Sequence, residues 1–169
     1  VSDVTVGGAL SGGIDSSAIA GAVRLTAGDG LAFRCITASV SDAAIDETRW
    51  ARRVADRHRL EITLASINDR DLAGDLDDLL LAQDEPFSTT SIYAQYRVFR
   101  AAREAGITVM LAGQGADELF AGYRPDRAAR VATLLACGYP LRALGLLRSL
   151  AQHDHGGRYA LRALHHLAP

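Results

Sequence analysis

Residues 4–25, VTVGGALSGGIDSSAIAGAVRL, decide the fold of this chain. Positions 4–10 carry small and β-branched apolar side chains, a pattern typical of a buried strand. Positions 16–25 are rich in Ala, Ile and Val and predict a helix. Because Ser11-Gly12-Gly13 separates the two, the sequence predicts a strand, a tight glycine loop and a helix, in that order.

The glycine loop has the chemistry of an anion site. Gly12 and Gly13 lack Cβ atoms, so their backbone N–H groups can approach an anion closely, and the start of the helix adds partial positive charge. Further hydroxyl donors come from Ser11, Ser16 and Ser17. Asp15 would repel a bound phosphate unless a cation lay between them, so the loop predicts phosphate together with magnesium. The alternative is an ordinary glycine turn in which Asp15 and Ser16 cap the helix.

The rest of the chain alternates strand and helix patterns. Further strands are predicted at residues 32–40, 60–65 and 107–112, and helices after Asp46-Glu47, at residues 68–83, from Thr89-Thr90-Ser91 to Gly106, and from residue 126 onward. Strands separated by helices favour parallel pairing, with ligands outside the carboxyl ends of the strands. The predicted class is α/β: a doubly wound, mostly parallel sheet with helices on both faces, followed by C-terminal helices.

Composition limits the possible chemistry. The chain has 169 residues, 49% of them hydrophobic, and a formal net charge of −2, so no overall field favours nucleic acid or an anionic membrane. All 18 basic residues are arginine. Without lysine, these residues supply neither a Walker-type P-loop nor a Schiff base.

Other features of the sequence predict where the protein works. Cys35 and Cys137 have no C-x-x-C spacing, which favours a reducing, cytoplasmic setting and predicts a buried thiol at each position. No apolar run reaches the roughly 18 residues of a membrane span. The chain begins with Val1 and ends without the signs of a finished domain, so a fragment of a longer protein is expected.

Two motifs carry a family resemblance. Residues 10–17, LSGGIDSS, resemble the PP-loop of N-type ATP pyrophosphatases, and residues 111–123, LAGQGADELFAGY, resemble the second signature of asparagine synthetases. The likeness covers roughly residues 4–123. It implies an adenine nucleotide alpha hydrolase-like fold, with a PP-loop core at 1–123 and a helical extension at 124–169 that is an incomplete part of the same synthetase domain.

The resemblance also implies site residues. ATP would be bound by Leu10, Ser11, Gly12, Gly13, Asp15, Ser16, Ser17, Ala38, Ala112 and Gly113. Asp15 and Asp117 would hold Mg²⁺, with Glu118 as a structural support. Gln114 stands where Glu is common in asparagine synthetases, which leaves the acceptor open. A solvated helix start remains the alternative for Asp117-Glu118, and Asp84-Glu85 either ends a helix or faces substrate.

The activity implied is an amide-forming ligase that adenylates a carboxylate, foremost aspartate, and releases AMP and pyrophosphate. A glutaminase domain or subunit would supply ammonia; neither nucleic acid nor membrane is expected as a partner, and a homodimer is left open. One alternative is a related PP-loop enzyme with another acceptor, such as a β-lactam or peptide cyclase or a nucleotide- or tRNA-modifying enzyme. Another is a nucleotide-binding module without turnover. These residues alone are expected to bind ATP weakly and to make no amide.

Overall fold

The computed structural model describes residues 2–28 and 30–153, and the chain divides into two compact units, Val1–Gly113 and Gln114–Pro169. The first unit contains strands β1 (Val6–Ala9), β2 (Arg34–Val40), β3 (Glu61–Ile67) and β4 (Val109–Leu111). It also contains helices α1 (Ile14–Ala27), α2 (Thr48–His58), α3 (Asp69–Gln83) and α4 (Ser91–Glu104). The second unit contains α5 (Ala116–Phe120), α6 (Arg124–Ala136) and α7 (Pro140–His153). This boundary follows Gly113, whereas the sequence division into core and extension follows Tyr123.

The four strands of the first unit form one parallel sheet with the order β3-β2-β1-β4. Gly8 of the central strand β1 pairs with Cys35 of β2 and with Leu111 of β4. The predicted parallel pairing is therefore confirmed. Because parallel strands end at the same edge of a sheet, the segments that follow β1, β2 and β4 all leave from that edge.

Helices pack on both faces of the sheet, as two adjacent residues of β2 show. Cys35 lies in a buried cluster with Ala20 of α1 and Ala55 of α2. The next residue, Ile36, lies in a second cluster with Val98 of α4. Successive side chains of a strand point to opposite faces, so α1 and α2 cover one face and α4 covers the other. The predicted doubly wound α/β fold is confirmed.

A carboxylate near the middle of α3 ties that helix to α4. Asp75, only 9% exposed, accepts hydrogen bonds from Tyr93 Oη at 2.9 Å, Arg97 Nη1 at 2.8 Å and Arg100 Nη1 at 2.5 Å. Burial alone would raise the pKa of Asp75, but these hydrogen bonds outweigh it and lower the pKa to about 2. We call these four residues the Asp75 cluster.

Local hydrogen bonds fix the start of α3 and the end of α4. Asn68 caps α3, because its side-chain oxygen accepts from the N–H groups of Arg70 at 2.9 Å and Asp71 at 3.0 Å. Strand β4 is shorter than the predicted 107–112. The N–H of Ile107 donates back to Ala102 of α4, so the backbone there still closes the end of the helix.

The two cysteines differ in exposure to solvent. Cys35 is buried, as predicted, and burial raises the pKa of its thiol to about 11 despite the opposing charge of Arg24. The prediction of a buried Cys137 is wrong: this residue follows the last turn of α6 and is exposed.

The second unit is a helical unit with its own small core, formed by Val131, Leu134 and Ala143. Helices were predicted from residue 126 onward, and α6 and α7 confirm them as far as residue 153; the remainder of that prediction lies outside the described residues. None of the helices within residues 2–28 and 30–153 has the length and apolar character needed to cross a membrane.

Candidate functional site

The glycine loop joins β1 to α1 without a side-chain cap. Gly13 is the residue before the helix, in an extended conformation, and the first intrahelical bond runs from the Ser17 N–H to the Gly13 carbonyl at 3.0 Å. Within the described residues neither Asp15 nor Ser16 accepts from a backbone N–H of α1, although Ser16 Oγ accepts from the Ser11 N–H at 3.3 Å. The ordinary capped-turn interpretation therefore lacks its caps, and the backbone N–H groups of the first turn point out of the helix end without an intrahelical partner.

Two of the three serines brace the loop itself. The Ser11 and Ser16 hydroxyls are 3.1 Å apart, and the Gly13 N–H donates to Ser11 Oγ at 3.2 Å. Ser16 Oγ also donates to the Gly13 carbonyl at 3.3 Å. Ser17 Oγ is different: it is buried and has no hydrogen-bond partner among the residues that the structure describes. A buried hydroxyl without a partner costs free energy, so this atom fits a ligand oxygen that would complete it.

Only glycine fits at position 12. Its φ is +86°, and an added Cβ would lie 2.5 Å from Trp50 Cβ and 2.6 Å from the backbone nitrogen of Ala51. The first turn of α2 therefore packs directly against the loop. Any side chain at position 12 would push the loop and the helix apart.

Leu10 is held from β2 by two hydrogen bonds. Its N–H donates to the Ile36 carbonyl at 2.9 Å, and its carbonyl accepts from Thr37 Oγ1 at 2.7 Å. Thr37 is 1% exposed. Sequence reasoning missed this residue, because a threonine in a strand is ordinary; the one signal is its place directly before Ala38.

The other predicted nucleotide residues of the first unit lie near this loop or at the same sheet edge. Ala38 is partly buried toward the carboxyl end of β2. Ala112 and Gly113 follow β4, and a Cβ on Gly113 would lie 3.1 Å from Asp15 Cβ and 3.2 Å from the Ser16 nitrogen. The segment after β4 thus passes against the start of α1. The structure brings Gly113 to the loop although about a hundred residues separate them.

Asp15 is partly buried in the first turn of α1. Within the described part of the chain, its carboxylate has neither a hydrogen-bond nor an ion-pair partner. Backbone N–H groups at this helix end favour an anion. A carboxylate beside them is suited to hold a cation next to that anion.

Residues 114–123 of the second motif belong to the second unit. Gln114 is exposed, and Asp117 and Glu118 lie in the first turn of α5 after Gly115. Tyr123 Oη donates to Glu118 Oε1 at 2.7 Å, and this bond lowers the pKa of Glu118. The roles predicted for Gln114 and Asp117 remain predictions.

The sequence left two roles open for Asp84-Glu85, the end of a helix or a contact with substrate. Asp84 takes a left-handed conformation after α3, and its N–H donates to the Leu80 carbonyl at 3.0 Å, so it ends that helix. Across residues 2–28 and 30–153, no group of three or more His, Cys, Asp or Glu side chains is arranged to hold a metal ion.

Curated relatives resemble most of this chain. A protein provisionally named glutamine-hydrolysing asparagine synthetase 2 from Methanocaldococcus jannaschii is 35% identical over 72% of the chain and 23% of its own length. Amidase chyE from Penicillium rubens is 32% identical over 75% of the chain and 20% of its own length. Glutamine-hydrolysing asparagine synthetase 1 from Bacillus subtilis is 31% identical over 72% of the chain and 19% of its own length.

The chain therefore spans about a fifth of the length of these relatives. The family profile described as asparagine synthase matches residues 1–166, nearly the whole chain. Both motifs quoted from the sequence lie inside that match. Together with the parallel sheet and the loop at its edge, the match shows that this chain belongs to the asparagine synthase family.

Proposed function

We propose that this chain is the ATP-binding part of an amide-forming ligase that activates a carboxylate, foremost aspartate, by adenylation. One observation carries the proposal: the loop at residues 11–17 braces itself with Ser11 and Ser16, yet the buried Ser17 hydroxyl has no partner in the part of the chain that the structure describes. Such a site has donors in place for phosphate oxygens. Membership of the asparagine synthase family supports ATP as their source.

In this reaction an oxygen of the substrate carboxylate attacks the α-phosphorus of ATP. The bond between the α-phosphorus and the bridging oxygen breaks, and pyrophosphate leaves. The amine nitrogen then attacks the carbonyl carbon of the acyl-adenylate, loses a proton and expels AMP. The protein contributes mainly position and preorganised donors, which is the usual way in which phosphate-transfer sites work.

The residues have distinct proposed tasks. The loop and Ser17 hold phosphate, and the backbone at Leu10, Ala38 and Ala112–Gly113 holds adenosine. Asp15 and Asp117 hold Mg²⁺, which supplies positive charge beside the phosphates when bound. The unpartnered carboxylate of Asp15 and the hard oxygen ligands that magnesium prefers fit this assignment.

Gln114 favours a second candidate. It is an exposed amide where the family commonly has a carboxylate, and an amide does not ionise. If position 114 contacts the acceptor, an acceptor with a charge different from that of aspartate is favoured. The second candidate is therefore a ligase that acts on another carboxylate. The names of two of the relatives above, which call them glutamine-hydrolysing, support glutamine as the nitrogen source.

Two measurements test the proposal. Calorimetry on the purified chain should show magnesium-dependent ATP binding that pyrophosphate competes with. Isotope exchange of pyrophosphate into ATP, run on the full-length product of the gene with a panel of acids, should be strongest with aspartate. Exchange with another acid alone would reassign the substrate, and absence of ATP binding in both preparations would end the proposal.

A further inference from the structure

Helix α2 concentrates positive charge on a chain whose net charge is negative. Five arginines fall between residues 49 and 59, at positions 49, 52, 53, 57 and 59, with Asp56 as the one acid among them. Arg49 and Arg53 are exposed and lie on either side of Trp50 in sequence. Such a cluster of positive charge favours an anionic ligand.

Trp50 organises two of these arginines. The guanidinium carbon of Arg49 is 4.7 Å from the centroid of the Trp50 rings, and that of Arg53 is 4.9 Å away. Both distances lie within the range of cation–π attraction. A guanidinium stacked on an aromatic ring loses part of its rotamer freedom while its N–H edge stays available for bidentate contacts with phosphate. In the described residues neither arginine forms an ion pair.

The location connects this pair to the loop. The Cβ of Trp50 is the atom that a side chain at Gly12 would strike first, at 2.5 Å. Trp50, whose ring carries both guanidinium groups, therefore lies in the part of α2 that contacts the loop.

Two acidic residues, Asp46 and Glu47, lie at the start of α2. The Asp46 carboxylate accepts from the Val40 N–H at 3.1 Å and from the Thr48 hydroxyl, so its charge is already hydrogen-bonded. Glu47 is exposed. The two guanidinium groups on the Trp50 ring are paired with no carboxylate of the described residues.

We propose that Arg49 and Arg53, ordered on the ring of Trp50, form a cationic contact for the β- and γ-phosphates of ATP and for the pyrophosphate that leaves. The inference rests on the proposed function and names residues that nothing in the family motifs covers. Because the chain has no lysine, the permanent positive charge that these residues can bring to the phosphates comes from arginine. Both guanidinium groups lie over the ring of Trp50, and the Cβ of Trp50 lies against Gly12.

The experiment is calorimetric titration of the purified chain with Mg-ATP, magnesium pyrophosphate and adenosine. Arg49→Gln and Arg53→Gln should each weaken ATP and pyrophosphate about threefold to tenfold, the range between an exposed ion pair and a charged hydrogen bond. Adenosine binding should not change. Arg53→Lys, which keeps the charge but loses the planar fork, should fall between wild type and Arg53→Gln.

Arg57→Gln is the matched control, because Arg57 is exposed in the last turn of the same helix and the charge change is identical. An equal loss with Arg57→Gln would mean that only overall charge matters and would overturn the proposal. So would unchanged pyrophosphate affinity in the Arg49→Gln, Arg53→Gln double variant. A wild-type chain that binds neither ATP nor pyrophosphate would overturn both the proposed function and the arginine contact. Normal binding by the wild type with unchanged affinity in the variants would overturn the arginine contact alone.

The chain offers an independent signal, since Trp50 is its single tryptophan. Pyrophosphate binding to the wild-type chain should change the intrinsic fluorescence, and adenosine should change it much less. Fluorescence that responds to adenosine and not to pyrophosphate would contradict a phosphate contact at this ring. Circular dichroism and thermal melting on each variant verify that the fold is kept.

Discussion

Two carboxylates of the first unit, Asp15 in the glycine loop and Asp75 between α3 and α4, are treated in opposite ways by their surroundings. Asp75 is buried and receives hydrogen bonds from Tyr93, Arg97 and Arg100. Asp15 is partly buried and has no partner within the described residues. Ser17, two residues further along, has a buried hydroxyl that also lacks a partner across residues 2–28 and 30–153.

The contrast separates a structural acid from one available to a ligand. A charge that supports the fold is paired from within, because an unpaired buried charge is costly. A group that serves a ligand keeps its bonding capacity, and the fold bears that cost until the ligand arrives. Changes in the loop should therefore lower ligand binding or activity, and changes in the Asp75 cluster should lower stability.

Asp15→Ala should give the largest effect. We expect pyrophosphate exchange by the full-length gene product to fall about 10³-fold, the upper end of the loss when one preorganised electrostatic partner is removed. Thermal unfolding should be nearly unchanged, because no contact of the fold is lost. Asp56→Ala, which removes an exposed acid from α2, is the control. Normal exchange in Asp15→Ala would refute the metal assignment.

Asp75→Asn should lower the free energy of unfolding by about 3 kcal/mol, since it leaves Arg97 and Arg100 without their shared counter-charge. Urea unfolding followed by circular dichroism measures this. Asp78→Asn, an exposed acid on the same helix, should change stability by no more than about 0.5 kcal/mol. Equal effects of the two variants would show that Asp75 is not the structural acid described here.

Thr37→Val should cost about 1–2 kcal/mol of stability, because the buried Leu10 carbonyl loses its donor while the side-chain shape is kept. We also expect weaker ATP binding by calorimetry, since Leu10 leads into the loop. Thr37→Ser keeps the hydroxyl and should bind ATP like the wild type. If Thr37→Ser and Thr37→Val bind ATP equally well, the hydrogen bond does not position the loop.

Acid should remove the contribution of Asp75 to stability. The pKa of Asp75 is lowered from its ordinary value of 3.8 to about 2 in the folded protein. The stabilisation by this carboxylate is therefore complete above about pH 4 and is lost as the pH falls toward 2. The stability difference between wild type and Asp75→Asn should shrink across that window. A constant difference from pH 5 to pH 2 would contradict the cause assigned to the lowered pKa.

Local features of this fold were predictable from sequence. Apolar strand residues before Ser11-Gly12-Gly13 and an Ala-rich helix after it predicted β1, the loop and α1, and Asn68 predicted the start of α3. Each rests on residues within a few positions of one another. The Asp75 cluster was not predicted, because it joins acids of one helix to arginines more than twenty residues away, and no spacing pattern marks such a pair.

The sequence by itself determined the strand-loop-helix order, the α/β class and the candidate phosphate loop, since backbone propensity, hydrophobic periodicity and missing Cβ atoms are properties of short segments. Only the tertiary structure decided which polar groups keep partners. It placed Thr37 on the Leu10 carbonyl, Trp50 against Gly12 and Gly113 beside Asp15, and it left the Ser17 hydroxyl without a partner among the described residues. The physical reason is that hydrogen-bond saturation and close packing depend on which distant segments meet, and strand pairing in the sheet fixes those meetings.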